Sequence, residues 1–341
     1  MSIYKKVSVI TPCYNGEKFI CRLLDSILMQ DYPCIEMCVI DDGSTDDSAK
    51  IIQSYIPRFV EKGYDLTYLY QDNSGLPATI NKGLQWMSGD YLVWPDNDDY
   101  YAINTAISEL VHLLEASDEQ TSMVRCHSHL VDEDTLEIVG KCAVNAHNDN
   151  RTDLFEDCLF AQNGFWFGAG TYMVKISLLR EVLPSLTIYA EKNAGQNWQL
   201  LLPLLYKYKC LTLKKYLYSI LVRANSHSRG AYSTYEQVIA RLDSYERTIL
   251  NTLRVIDLTK FEYQNYTDKI DRKYKKIRLQ IMIDFKKSND AKLAFENLRT
   301  LNETLPYSLV LKYYLMDSPA LSRLLKKVAT CLRKKNDDIN C

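Results

Sequence analysis

Short apolar runs of strand type alternate with helical spacing of apolar residues through the first hundred residues of the chain. The runs of strand type lie at 7–10, 35–40, 66–70 and 91–94, and each is followed by residues that favour turns. Between them, apolar residues recur at helical spacing over 19–28, 51–55 and 77–87. This order predicts a mostly parallel sheet with helices on both faces, because parallel strands need helical crossovers.

Polar clusters follow the strand-type runs, at the end of a parallel sheet where ligands usually bind. The cluster Asp96-Asn97-Asp98-Asp99 follows the run at 91–94 after a single residue, Pro95. Carboxylates spaced as Asp96 and Asp98 are suited to one divalent cation, since Mg²⁺ and Mn²⁺ prefer oxygen ligands. An acidic surface turn is the alternative. The first strand is followed by no Gly-x-Gly-x-x-Gly, and no phosphate-binding Gly-x-x-x-x-Gly-Lys loop occurs, which excludes the commonest nucleotide sites.

Six motifs in order along the chain resemble those of the family 2 glycosyltransferases. They are VSVITPCYN at 7–15, DDGSTD at 41–46, Asn73-x-Gly75, Asn81-x-Gly83, Gly89-Asp90-Tyr91 and Asp96-x-Asp98-Asp99. The resemblance implies a GT-A fold, a nucleotide-diphosphate-sugar donor and an inverting reaction. It is strong over about the first hundred residues, weaker to about 230, and does not extend beyond that.

The resemblance also implies which residues contact the donor nucleotide. Tyr14 would stack on the base, and Asp42 would accept a hydrogen bond from the imide N–H of uracil. Helix capping is the alternative for Asp42, although Asp46 fits that role better. Arg223 resembles part of a loop over the pyrophosphate. The predicted nucleotide-binding residues are Pro12, Tyr14, Asp42, Asn73, Asn81 and Arg223.

For the cation, Mn²⁺ or Mg²⁺, the resemblance implies Asp98 as the main ligand and Asp96 as the other end of its motif. Asp99 would support them. Of the five histidines, His227 is the predicted third metal ligand or phosphate donor, because neutral imidazole binds metal and imidazolium binds phosphate.

Gln196-Asn197 departs from the family pattern. Many members have Glu-Asp there, and the Asp is the general base that deprotonates the acceptor hydroxyl, which an amide cannot do. Three alternatives remain: another carboxylate acts, the nucleophile needs no base, or the site only binds. The predicted catalytic residues are Asn197, which would orient the acceptor, Asp98, and Glu191, the nearest upstream carboxylate. Asp96 or Asp99 could also act as base if not tied to metal.

Aromatic and glycine residues at 165–172 predict the acceptor site, because such a composition suits stacking on a sugar ring. Trp166 in this segment and Trp198 beside Asn197 are the predicted acceptor-binding residues. A core strand is the alternative for 165–172.

Charge divides the chain into two predicted domains. Residues 231–341 carry 21 Lys and Arg against 14 Asp and Glu, whereas residues 1–230 carry 20 against 29. We therefore predict a GT-A domain at 1–230, with a nucleotide-sugar half at 1–100 and an acceptor half at 101–230, and a basic helical module at 231–341. A capping box at Ser233 and Glu236 would start its first helix. No basic stripe with interleaved aromatics occurs, so nucleic acid is not an expected partner.

The predicted location is the cytoplasm, at the inner face of the cell membrane. The ten cysteines include no Cys-x-x-Cys pair, and neither a leader nor an apolar run of about 20 residues is evident. Leucines at 321, 324 and 325 share a helical face opposite basic residues, which predicts contact with a membrane surface. Packing on preceding helices or on a second copy is the alternative, and a homo-oligomer is compatible with the sequence.

Together these features predict an inverting, metal-dependent hexosyltransferase of surface polysaccharide or glycoconjugate synthesis. It would move a hexose or N-acetylhexosamine from a UDP-sugar to a glycan or lipid-linked acceptor. One alternative is transfer to a polyprenyl phosphate. Another is an inactive nucleotide-sugar-binding partner of a second transferase.

Overall fold

The computed structural model of the protein describes residues 4–142, 149–223 and 232–316. Its strands are β1 Val7–Cys13, β2 Ile35–Asp41, β3 Asp65–Tyr70, β4 Tyr91–Val93, β5 Tyr100–Tyr101, β6 Thr121–Asp132, β7 Ile138–Cys142, β8 Tyr172–Lys175 and β9 Lys209–Val222. Its helices are α1 Ile20–Leu28, α2 Ser48–Lys62, α3 Leu76–Trp86, α4 Ala106–Glu115, α5 Phe155–Leu159, α6 Ile176–Val182, α7 Gln196–Lys207, α8 Tyr235–Leu253, α9 Lys260–Asp284, α10 Ser288–Thr300 and α11 Tyr307–Leu315, with a 3₁₀ turn at Ala169–Thr171.

The predicted alternation of strands and helices from β1 to β4 is confirmed. β1 runs three residues past its predicted end and pairs Pro12 with Ile40 of β2. Proline has no N–H, so it is poorly suited to a central strand. It is tolerated here because β4, the neighbour on the other side of β1, pairs only as far as Val9.

The sheet is parallel in its first half and mixed in its second. The strands lie in the order β3-β2-β1-β4-β8-β6-β9-β5, and β7 also pairs with β6. β3, β2, β1 and β4 are parallel, whereas β4 with β8, β8 with β6, β6 with β7, and β9 with β5 are antiparallel. β6 and β9 are again parallel. The antiparallel pairs of the described residues each include a strand after β4, outside the pattern of the first hundred residues on which the prediction of a mostly parallel sheet rested.

Helices cover both faces of the parallel half. Apolar side chains of α1, α2 and α4, such as Leu23, Phe59 and Leu110, form one core with Val9 and Met37 of the strands. On the other face α3 lies close to β1, and a Cβ on Gly83 would come within 2.2 Å of Ile10. Glycine at this position therefore allows the close approach of helix and strand.

The switch in chain direction lies between β1 and β4. From β1 the chain moves outward to β2 and β3, and it then returns to the other side of β1 as β4. In open α/β sheets, ligands bind outside the carboxyl ends of the strands at such a point. This geometry selects the loops after β1, β2 and β4 as the candidate site.

Contacts divide the chain into two compact units. The first comprises residues 1–231 and 247–259, and the second comprises residues 232–246 and 260–341. The predicted border at 230 lies one residue away, but the segment 247–259 groups with the first unit. In the second unit, Leu279, Phe295 and Leu309 form a small core, and the Phe295 ring stacks on Tyr313 at 3.8 Å.

Two predicted functional segments lie outside the described residues. One contains His227, the predicted third metal ligand, and the other contains the amphipathic segment from 321 onward. Within the ranges that the structure describes, no helix has the length and apolar character needed to cross a membrane.

Candidate active site

The loops after β1, β2 and β4 bring the motifs at 12–16, 41–46 and 96–99 to one edge of the sheet. β1 pairs with β2 on one side and with β4 on the other, so all three strands end next to one another. The long strand β9 also ends here, because the backbone N–H of Leu221 donates to the Asp99 carboxylate at 2.9 Å. Residues distant in sequence thus meet at this edge.

Asp98 forms an ion pair with Arg223, which follows β9. The pair joins Oδ2 of Asp98 to Nη2 of Arg223, and both side chains are largely buried. The guanidinium also lies 4.6 Å from the centre of the Phe19 ring. The structure therefore places the predicted pyrophosphate residue against the predicted metal ligand.

Negative charge is concentrated at the carboxylate cluster. Burial and the nearby charge of Asp98 raise the pKa of Asp96 to about 7, although Arg223 opposes the shift. The pKa of Asp99 is also raised well above its usual value, first by burial and then by the charges of Asp98 and Asp96. The single positive charge of Arg223 therefore offsets only part of the repulsion among Asp96, Asp98 and Asp99.

Asp42 organises the loop after β3. It is 6% exposed, and its Oδ1 accepts hydrogen bonds from the Gln71 side chain at 2.7 Å and from the Ser74 N–H at 2.8 Å. Its Oδ2 accepts one from the Gly75 N–H at 2.9 Å. Sequence reasoning predicted base recognition by Asp42 and missed this role, because the donors lie about 30 residues away.

The loop after β1 presents Tyr14 to solvent. Its side chain is 54% exposed, and the neighbouring Asn15 accepts a hydrogen bond from the Thr45 N–H at 2.9 Å. A Cβ on Gly16 would lie 2.4 Å from the Asn97 amide, so glycine lets this loop pack against the carboxylate motif. The Tyr14 ring is therefore held on a well-braced loop with its face accessible.

Three of the other predicted nucleotide residues differ in their setting. Pro12 lies in β1, and Asn73 is exposed beside Gly43. Asn81, in contrast, donates to the Ile188 carbonyl at 2.9 Å and accepts from the Ile188 N–H at 2.7 Å. In the structure Asn81 anchors the chain near Ile188, so a nucleotide contact by this residue stays a prediction.

Asn197 bonds to the protein at both ends of its amide. Its Oδ1 accepts a hydrogen bond from the Trp94 indole at 2.9 Å, and its Nδ2 donates to the Phe167 carbonyl at 2.7 Å. In the structure the amide thus joins two loops. Its oxygen keeps a second acceptor site and its nitrogen a second N–H, so the predicted role of orienting the acceptor stays a prediction.

Glu191, the predicted replacement base, is held by the guanidinium of Arg247 and the hydroxyl of Tyr189. Arg247 contacts both of its oxygens, at 2.5 and 3.0 Å, and the Tyr189 hydroxyl donates to Oε2 at 2.8 Å. A carboxylate paired in this way is a poor proton acceptor, because protonation would break the ion pair. The geometry gives no support to the predicted catalytic role of Glu191.

Trp166 belongs to the core, which corrects its predicted acceptor role. Its side chain is 5% exposed, its indole N–H donates to Thr171 at 3.1 Å, and the Arg125 guanidinium lies 3.8 Å from its ring centre. A ring covered in this way has no face for a sugar. Trp198 is partly buried, and its indole N–H donates to the Cys158 carbonyl at 2.8 Å.

Residues 8–159 match the sequence model of Glycosyl transferase family 2. The match begins in β1 and includes all three motifs at the edge of the sheet. The chain carries a family 2 glycosyltransferase domain.

Curated relatives match mainly this domain. Glycosyltransferase GlyA of Streptococcus pneumoniae serotype 4 is 42% identical over 100 residues, which are 29% of this chain and 14% of the relative. The putative teichuronic acid biosynthesis glycosyltransferase TuaG of Bacillus subtilis is 35% identical over 111 residues, 33% of this chain and 43% of the relative. The chain spans less than half the length of each.

Solved structures show the same GT-A fold around the family 2 domain. Residues 1–349 of S. aureus TarS, in complex with UDP-GlcNAc, superpose with a TM-score of 0.60 at 18% identity, over 82% of this chain and 80% of that one. The mannosyltransferase PcManGT of Pyrobaculum calidifontis, in complex with GDP-Man and Mn²⁺, gives 0.57 at 17% identity, over 97% and 81%. The predicted GT-A fold is confirmed.

The carboxylates of the domain fit a divalent cation. No group of three or more His, Cys, Asp or Glu side chains suited to a metal occurs in the ranges 4–142, 149–223 and 232–316. Mg²⁺-type ions bound with a nucleotide need only one or two carboxylates, since phosphate oxygens and water complete the coordination. The pKa of Asp96 is raised first by burial and then by the charge of Asp98, which a bound cation would offset, and the donor atoms are all oxygens. Asp96 and Asp98 therefore fit a divalent cation.

Two residues that support the domain were missed. Trp94 is buried directly after β4 and stacks on Tyr172 at 6.2 Å. Arg125 is fully buried on β6, with its Nε donating to Thr212 at 3.0 Å. The sequence offered one indication, since a charged residue inside the apolar run around 123–126 is unusual unless it is paired or covered.

Proposed function

We propose that the protein is an inverting glycosyltransferase that moves a hexose or N-acetylhexosamine from a UDP-sugar to a glycan or lipid-linked acceptor of a surface polysaccharide. The proposal depends most on one observation: Asp98, Arg223, Asp42 and Tyr14 converge at the switch point of the sheet. The likeness to TuaG and to TarS in complex with UDP-GlcNAc supports the substrate class.

The nucleotide would lie between the loops after β1 and β2. The exposed Tyr14 offers a flat apolar face on which a base can stack. Oδ2 of Asp42 accepts one hydrogen bond in the structure, and a carboxylate oxygen can accept two. The second acceptor site can take the imide N–H of uracil, in a bond strengthened by the negative charge.

The diphosphate would lie beside Asp96, Asp98 and Arg223. Asp96 and Asp98 would hold Mn²⁺ or Mg²⁺, which when bound neutralises charge on the departing diphosphate. Arg223 is a fixed guanidinium that can donate two hydrogen bonds to phosphate oxygens. Because Arg223 already pairs with Asp98, donor binding would redistribute its hydrogen bonds from carboxylate to phosphate.

A second candidate function, transfer to a polyprenyl phosphate, is favoured by the settings of Asn197 and Glu191. A sugar hydroxyl must lose a proton as it attacks, and a general base typically contributes 10² to 10⁴-fold to that step. Asn197 cannot act as a base, and Glu191 is bound by Arg247. A phosphate acceptor is already anionic, so its oxygen can attack without a base.

Turnover of a donor panel tests the proposal. The purified protein is incubated with UDP-glucose, UDP-galactose, UDP-GlcNAc, UDP-GalNAc and GDP-mannose in Mn²⁺, with water, a glycan or a polyprenyl phosphate as acceptor. We expect nucleotide release from at least one UDP-sugar and faster release with an acceptor. Normal UDP-sugar binding with no transfer to any acceptor would instead indicate a binding partner of another transferase.

A further inference from the structure

The family resemblance implies that Asn197 stands where many members have their catalytic aspartate, yet its amide bridges two parts of the scaffold. Trp94, its partner on one side, follows β4 and precedes Asp96 by two residues. Phe167, its partner on the other side, lies in the aromatic segment between α5 and the 3₁₀ turn at Ala169–Thr171. Asn197 itself is the second residue of α7.

The two bonds of Asn197 require a carboxamide. Trp94 can only donate a hydrogen bond through its indole N–H, and the Phe167 carbonyl can only accept one. Asparagine supplies both an acceptor and a donor at this distance. An aspartate could still accept from Trp94, but its other oxygen would face the Phe167 carbonyl, and two acceptors repel each other.

Both partners of Asn197 are held in place by further packing. The Trp94 side chain is 1% exposed and stacks on Tyr172 at an interplanar angle of 14°. Phe167 packs against Phe165 at 5.0 Å and Trp198 at 4.9 Å. The bridge therefore joins the strand that leads into the carboxylate motif to a packed aromatic cluster on the acceptor half.

We infer that Asn197 is a positioning residue: its amide fixes segment 165–168 relative to the Asp96–Asp98 motif, and it neither accepts a proton nor contacts the acceptor. The effect of this bridge on catalysis rests on the proposed function. The inference implies that Asn197→Asp, which introduces the residue common in the family, lowers turnover. A displaced reactant is costly, since misplacement by about 1 Å can reduce a rate about a hundredfold.

The variants are Asn197→Asp and Trp94→Phe, which remove one bond each from opposite ends of the bridge. Gln85→Glu is the matched control for the first, because the Gln85 amide also donates to backbone carbonyls, at Ser185 and Leu186. Trp86→Phe is the matched control for the second. Should Trp94→Phe fail to fold, Asn197→Ala serves in its place, because it removes the bond to Trp94 together with the bond to Phe167.

We expect both bridge variants to lower kcat about tenfold to a hundredfold, with UDP affinity within about twofold of wild type. The controls should retain wild-type kcat. A rise in kcat for Asn197→Asp would overturn the inference, because it would show a base restored. A second result would also overturn the inference: a change in the KM for acceptor in Asn197→Asp, with the kinetics of Trp94→Phe unchanged. Because Trp94 is buried and cannot contact substrate, that result would assign Asn197 to acceptor binding.

Hydrogen exchange of residues 160–168 separates failure of this inference from failure of the proposed function. If wild type releases no nucleotide from any donor, the proposed function fails, but the bridge can still be tested. Faster amide exchange in this segment for both bridge variants, and not for the controls, supports the bridge. Unchanged exchange in both variants overturns it.

Discussion

At the scale of single residues, the candidate site depends on side chains whose oxygens are shared between scaffold and ligand. Asp42 is the clearest case, since three donors from residues 71–75 contact it while one acceptor site remains. The sequence motif indicated a carboxylate at this position. It could not indicate the loop contacts, because these depend on how β2 and β3 end side by side.

We predict that Asp42→Asn lowers UDP affinity at least about tenfold, with or without Mn²⁺. Asparagine has one acceptor oxygen and would turn an N–H group toward a backbone donor, and an unsatisfied buried group costs about 1–3 kcal/mol. Calorimetric titration with UDP measures the effect, with Asp72→Asn, an exposed position in the same loop, as control. Equal UDP affinities for Asp42→Asn and wild type would show that Asp42 neither contacts the uracil nor keeps the loop at 71–75 in a binding conformation.

The acceptor side was the hardest part to predict at this scale. Trp166 and Trp198 were assigned to sugar stacking by composition, which does not distinguish an exposed ring from a buried one. The guanidinium of Arg125, which lies on β6, contributes to the burial of Trp166 by covering its ring. Contacts of that kind depend on strand order in the mixed half of the sheet, which no local pattern revealed.

At the scale of elements, β1 to β4 were predictable because each has a continuous apolar run bounded by turn residues. Helix α8 shows how local rules can miss by one residue. The capping box was predicted at Ser233 and Glu236, but Thr234 and Gln237 form it: the Gln237 N–H donates to the Thr234 hydroxyl at 3.3 Å, and the Gln237 side chain accepts from the Thr234 N–H at 3.2 Å. Both pairs satisfy the same sequence rule.

Strands β1 and β2 are joined at their amino ends by a buried carboxylate. Glu36 accepts hydrogen bonds from the Ser8 hydroxyl at 2.6 Å, from the Ser88 N–H and hydroxyl, both at 2.7 Å, and from Lys6 at 3.2 Å. Burial would raise the pKa of Glu36, but these hydrogen bonds outweigh it and hold the pKa below its usual value of 4.5.

We predict that Glu36→Gln destabilises the first unit by about 1.5–3 kcal/mol at pH 7, the range for hydrogen bonds to a charged group. Because the folded-state pKa is lowered, this stabilisation is present above the unfolded-state value and is lost as pH falls through the folded-state value. The difference from wild type should therefore shrink below about pH 4.5.

Urea unfolding followed by tryptophan fluorescence measures the effect of Glu36→Gln. All four tryptophans, at 86, 94, 166 and 198, lie in the first unit, so the signal reports that unit. The exposed Glu61→Gln serves as control. A difference that stays constant from pH 7 to pH 3 would contradict the assigned ionisation.

At the scale of the whole molecule, the amphipathic pattern from 321 onward predicts a contact with anionic membranes. Leu321, Leu325 and Val328 share one face of the predicted helix, opposite a basic face. We expect full-length protein to sediment with phosphatidylglycerol vesicles and protein truncated after Ser318 to remain in the supernatant. A variant with Glu at these three positions keeps the basic side chains but loses the apolar face, and it should also fail to sediment. Equal sedimentation of all three proteins would remove the membrane contact.

Metal-dependent use of a UDP-sugar is the central claim, and release of UDP tests it most directly. The measurement compares Mn²⁺ with excess chelator for wild type, Asp98→Asn and the exposed control Asp134→Asn, with each donor. We predict UDP release by wild type and by Asp134→Asn in Mn²⁺, at least about a hundredfold less in chelator, and none detectable for Asp98→Asn, because the diphosphate would lose its main counter-charge. Equal rates with and without metal, or release from GDP-mannose alone, would contradict the account.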